Sequence, residues 1–67
     1  MDLDAALRKL DLSDADFGAL VKAHPTLVWK WRRRKVSPGG RSMARILAVL
    51  KRRGVDLSPA ALVRKAA

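Results

Sequence analysis

The residues of this chain best suited to chemistry with a partner lie in one run, Val28-Trp29-Lys30-Trp31-Arg32-Arg33-Arg34-Lys35. Five of its eight positions are basic and two are tryptophan. Ammonium and guanidinium groups at this density suit a polyanion, because attraction to phosphate supplies most of the sequence-independent affinity of nucleic-acid binders. Other chemistry finds little material. His24 is the one histidine and there is no cysteine, so no metal site is expected. No histidine stands beside a nucleophile, and the carboxylates gather at helix starts. A chain of 67 residues also has little room for a water-excluding pocket. The expectation is a non-enzymatic protein with no cofactor. Gly39-Gly40 is a lone glycine pair and does not make a phosphate loop.

Lys and Arg number 15 against 6 acids, a formal charge of +9. The distribution is more telling than the sum. Asp2, Asp4, Asp11, Asp14 and Asp16 lie in the first quarter and Asp56 stands near the end, with no acid between Phe17 and Val55. Across that acid-free stretch run Lys22, Lys30, Arg32, Arg33, Arg34, Lys35, Arg41, Arg45, Lys51, Arg52 and Arg53. Long basic side chains are ordinary surface residues, but this density without acids sets the run apart from a solvated face. One face should be strongly positive and the opposite end weakly negative, a field that steers and orients a protein on nucleic acid. No stretch is long and apolar enough to span a membrane, and the acidic N-terminus lacks an apolar h-region. Export and membrane insertion are therefore not expected; the cytoplasm, in association with the nucleoid, is.

The elements that must position the basic run are helical. Leu3, Ala6, Leu7 and Leu10 recur with helical spacing, predicting a helix over 2–10 with acids at its start and bases at its end. Ser13-x-x-Asp16 is a capping-box variant opening a second helix over 14–22, with Phe17, Leu20 and Val21 inward. Pro25 suits the first position of a third helix, over 25–34, with His24 at its cap. Val36-Ser37-Pro38-Gly39-Gly40 reads as a loop. A fourth helix carries Met43, Ile46, Leu47 and Leu50 on one stripe and stops before Gly54. Ser58-Pro59 should open a short fifth helix carrying Leu62 and Val63. No strand pattern or repeat is present. The fold class is all-α, with residues 1–67 as one small domain.

On a helical wheel Val28 and Trp31 share one side of the third helix, with Leu27 on the flank, and Thr26, Trp29, Lys30 and Arg33 share the other. The first pair reads as core. The second set suits a major groove: Lys30 and Arg33 can donate to guanine, and Thr26 can hydrogen-bond or touch a thymine methyl. Trp29 either faces DNA or packs against the first helix or a dimer partner. Arg32, Arg34 and Lys35 cluster toward the helix end, where backbone phosphate is the natural partner.

Residues 13–38 resemble the helix-turn-helix of the Cro/phage-repressor (XRE-like) family, aligning without a gap. Ser13 matches the cap of that family's second helix and Phe17 its core position. Gly18 matches the small residue that lets the helices approach, Val28 and Trp31 the buried side of the recognition helix, and Pro38 the loop proline. The ending Gly54-Val-Asp-Leu-Ser-Pro-Ala-Ala-Leu-Val63 is similar to short Cro-like proteins of bacteria and phages. The resemblance implies a Cro/lambda-repressor-like bundle of about five short helices. Its helix-turn-helix would lie at about 13–35, and C-terminal helices over 41–66 would close the core or form a dimer seam through Leu57, Leu62 and Val63. It further implies base readout from Pro25 (apolar contact only), Thr26, Trp29 and Lys30. Phosphate contacts would come from His24, Lys35, Ser37 and the backbone of Gly39, Gly40 and Arg41. Three positions depart from the pattern. Lys22 replaces the turn glycine, Asp14 stands where a neutral phosphate donor is usual, and Arg34 stands where glycine often ends the recognition helix, which points to a longer helix.

The expected function is sequence-specific binding of double-stranded DNA by a small regulator, a repressor of the Cro type. It would act as a homodimer on a palindromic operator, with no small-molecule effector. Two other readings stand beside it. One is an architectural or recombination accessory protein of low sequence preference, and the other is an antitoxin- or activator-type module that offers its tryptophan face to a protein partner.

Overall fold

A computed structural model describes residues 1–63. Among these residues the chain forms four α-helices and one 3-10 turn, and no strand. Asp2 starts helix α1 (Leu3–Lys9) by accepting a 2.8 Å hydrogen bond from the Ala5 amide, which satisfies one of the free amides of the first turn. Leu3, Ala6 and Leu7 are fully buried along its inner side. Helix α2 (Asp14–Val21) opens with both arms of the capping box. Ser13 Oγ accepts from the Asp16 amide at 3.0 Å, and an Asp16 carboxylate oxygen accepts from the Ser13 amide at 3.3 Å. Phe17 and Val21 point into the core, but Leu20, expected inward, is 41% exposed. Its place against the next helix is taken by buried Gly18.

The connection between α2 and α3 (Pro25–Arg32) is only three residues long. Lys22 takes the left-handed conformation (φ 57°, ψ 47°) that reverses the chain, a backbone more often adopted by glycine. A Cβ at Gly18 would sit 2.5 Å from the Ala23 carbonyl oxygen, closer than even alanine permits. Glycine at 18 is what allows α2 and α3 to pack across so short a turn.

Left-handed residues also end three helices. Asp11 (φ 55°), Arg34 (φ 56°) and Gly54 (φ 85°) follow α1, α3 and α4 (Gly40–Arg52) respectively. After each, an amide turns back to close the last turn: Leu12 to Leu7 O, Lys35 to Lys30 O, and Val55 to Leu50 O, all at 2.9 Å. Arg34 therefore stops α3 at Arg32 and does not extend it, against the expected 25–34. The absence of glycine hid a helix end that arginine supplies.

Helix α4 buries Ile46 and Leu50 and half-buries Met43 and Leu47. The expected fifth helix is a single 3-10 turn, Pro59–Leu62, capped by Ser58. Leu57 and Leu62 are buried and close the core, whereas Val63 is 47% exposed. The last residues of the expected 41–66 helical segment lie outside the described residues. Together Trp31, Phe17, Val28 and the leucines of α1 and α4 make one continuous core.

Candidate nucleic-acid interface

Helix α3 is built to show one side and hide the other. Pro25 needs no amide partner at the first position, and His24 Nδ1 accepts from the Thr26 amide at 3.1 Å. With Nδ1 used as an acceptor, the His24 proton sits on Nε2, which is left as a donor on an exposed residue. Val28 and Trp31 are 0% and 2% exposed and hold the helix to the core. Thr26, Trp29, Lys30 and Arg33 are all exposed, as their wheel positions predict.

Trp29 organises this outer face. The Arg33 guanidinium lies 5.4 Å and the Lys35 ammonium 5.3 Å from the centre of its ring. A cation over an indole face gains about 0.5–1 kcal/mol at an exposed site. One indole ring thus engages two cations at the end of α3. The ring also borders a recess that it shares with Asp2, Asp4, Arg8, Arg32 and Arg33, so it sits between the outer face and α1.

Arg32-Arg33-Arg34 is one run in sequence and three separate devices in space. Arg32, expected on phosphate, has a side chain only 18% exposed that is held by two carboxylates, with which a phosphate would have to compete. Its Nη2 lies 2.7 Å from Asp4 and its Nη1 2.8 Å from Asp14, and its Nε donates to Asp4 at 2.8 Å. The arginine thereby ties α1 and α2 to α3. The Arg32 hydrogen bond, above all, holds the Asp4 carboxyl below its ordinary value, with burial opposing and the charges of Arg32, Arg8 and Arg33 assisting. Burial alone would lower the Arg32 value, but the hydrogen bonds it donates to Asp14 and Asp4, with their charges, outweigh it and raise it overall. Arg33 faces outward on Trp29. Arg34 donates from Nε and Nη2 to the Val63 carbonyl at 3.2 and 3.1 Å and from Nη2 to the Ala60 carbonyl at 3.4 Å. Its expected phosphate contact would compete with this tie to the C-terminal segment.

Asp14 answers Arg32, which neutralises a carboxylate that would otherwise repel phosphate. The wheel carried a signal for this: Arg32 adjoins Trp31 and lies one turn from Val28, at the edge of the buried seam. Asp4 and Asp14 could not be identified as its partners from spacing alone.

Beyond α3, Lys35, Ser37, Gly39, Gly40 and Arg41 are exposed, and Pro38 is buried and anchors the loop. Gly39 caps α4 without a side-chain hydrogen bond, and the first turn of α4 has no acid. All three ion pairs among the described residues involve Asp4 or Asp14. Lys30, Arg33, Lys35 and Arg41 have no carboxylate partner there. No group of His, Cys, Asp and Glu side chains among the described residues could hold a metal ion, and no helix is long and apolar enough to cross a membrane. Comparison with family models, curated proteins and solved structures finds no match for this chain.

Proposed function

We propose that this chain is a small helix-turn-helix DNA-binding regulator of the Cro/phage-repressor type, with α2 and α3 as the motif and α3 entering the major groove. The observation that carries this reading is the outer side of α3. Thr26, Lys30 and Arg33 stand exposed on one side of a helix whose other side is core, and no carboxylate among the described residues answers the two cations. Thr26, Lys30 and Arg33 read base edges, and Trp29 holds Arg33 and Lys35 in place. His24 Nε2, Lys35, Ser37 and the Gly39–Arg41 segment meet phosphate. The protein acts as a homodimer on a palindromic operator with half-sites roughly 34 Å apart, and represses by occluding a promoter.

Selection of bound duplexes from a random pool, followed by footprinting, tests this. The expected result is a palindromic site preferred over random DNA by about a thousandfold or more. Within that site Lys30→Ala or Thr26→Ala relaxes base preference at a cost of about 1–3 kcal/mol. A second reading draws on a separate observation: Arg45, Lys51 and Arg52 on α4, and Arg53 at its cap, add exposed positive charge outside α3. That distribution suits an architectural protein of low preference, for which the selection would return no consensus.

A further inference from the structure

Two sets of charges take no part in the interface above and have no partner among the described residues. The Asp11 carboxylate accepts no hydrogen bond and joins no ion pair, and neither Arg52 nor Arg53 meets a carboxylate. Each set borders an open groove that is lined in part by residues of α2. Asp11 and Asp16 border an open groove floored by half-buried Leu12. Arg8 and Arg32 also line that groove, but their charges are matched by Asp4 and Asp14. Arg52 and Arg53 border a second groove of about 360 Å³ floored by Leu20 and Val49. Asp16 and Leu20 are both exposed and stand one turn apart on α2, so the two grooves share one side of that helix. Read along it, the surface runs from acid through exposed leucine to paired arginines.

We infer that this surface is where two copies of the chain meet, packed antiparallel about a two-fold axis. A two-fold contact brings the same patch from each copy together with its ends exchanged. Each Asp11/Asp16 end then faces the partner copy's Arg52/Arg53 end, and the Leu20 side chains meet near the axis. A parallel arrangement would stack arginine on arginine. A wholly acidic occupant would match only one end, whereas a second copy matches both. The pattern also accounts for Leu20, the large apolar side chain that α2 turns away from its own core. The contact supplies the dimer of the functional reading and rests on that reading for its role. Its existence does not depend on DNA, so the two can fail separately.

The test is sedimentation of the free protein without DNA, at about 0.15 M salt, where screening over about 8 Å blunts the repulsion between two +9 chains. Wild type should move with concentration from 7.4 kDa toward twice that mass. Asp11→Lys alone, and Arg52→Asp with Arg53→Asp, should each lower the association constant by about tenfold or more. Lysine can adopt the left-handed backbone of position 11, as Lys22 shows, and a thermal melt of the variant confirms that it is folded. An equimolar mixture of the two variants should associate more strongly than either alone, since the new cation at position 11 then faces the carboxylates at 52 and 53, and the native Asp11/Asp16 end faces native Arg52 and Arg53. Leu20→Ser, at an exposed position, should weaken wild-type association while leaving the thermal melt in place. A wild type that stays monomeric at millimolar concentration, variants that associate as wild type does, or a mixture no stronger than its components would overturn the inference.

Discussion

The α1–α2 end of the molecule and the outer side of α3 handle charge in opposite ways. At the first, Asp4 and Asp14 close on Arg32 with contacts of 2.7–2.8 Å, and charge becomes a fastening between three helices. At the second, Lys30, Arg33 and Lys35 stand exposed with only an indole ring for company. Arg32 and Arg33 are adjacent and chemically identical, yet a rotation of about 100° sends one to structure and the other to solvent. Charge satisfied inside the molecule stabilises it and is withdrawn from partners, whereas charge left unmatched raises self-repulsion and is useful only if a partner answers it.

The comparison depends on the seam that separates the two regions, and breaking the seam should have the largest effect. Trp31→Ala empties the largest fully buried side chain and should cost about 3–5 kcal/mol, measured by urea unfolding. A melt unchanged from wild type would remove the basis for separating an inner from an outer face.

The sharpest test exchanges the adjacent arginines. Arg33→Ala should weaken DNA binding by about 1–3 kcal/mol with little change in stability. Arg32→Ala should do the reverse, losing about 1–2 kcal/mol of stability once partial solvent screening is allowed for, with the DNA affinity of the folded fraction retained. Equal effects of the two on DNA affinity would erase the distinction between the regions.

Acid should loosen the fastened end selectively. Asp4 has a lower pKa in the folded protein than its ordinary 3.8, so its contribution is complete above that value and is lost as pH falls through the folded value. Melts taken from about pH 5 downward should therefore show a steeper loss for wild type than for Asp4→Asn. Parallel curves would mean that the Asp4–Arg32 contact adds nothing. The smallest effect is a gain: Lys22→Gly relieves a left-handed non-glycine residue and should stabilise by up to about 1 kcal/mol. A loss of stability there would show that the turn depends on the lysine side chain.

These residues also show what could be read in advance. The capping box of Ser13 and Asp16, the buried stripe of Leu3, Ala6 and Leu7, and the Val28–Trp31 seam follow from local spacing, because helical periodicity and capping are short-range physics. The four outward residues of α3 follow from the same wheel. The split among Arg32, Arg33 and Arg34 does not, because it depends on which carboxylates and carbonyls the fold brings to each guanidinium. The end of α3 is hidden for a related reason: Arg34 adopts a backbone usually signalled by glycine. Leu20 reads as inward from its spacing with Phe17 and Val21, but the buried side of α2 is Phe17, Gly18 and Val21, and Leu20 is left 41% exposed.

The central claim, that the outer side of α3 is the DNA-reading surface, is tested most directly by titrating the isotope-labelled protein with its selected duplex and following side-chain and amide resonances. The account predicts that Thr26, Lys30, Arg33, Lys35 and the Trp29 indole shift most, while Arg32 and α1 stay in place. Perturbations centred on α4 at Arg45, Lys51, Arg52 and Arg53, with the Trp29 indole unmoved, would contradict it.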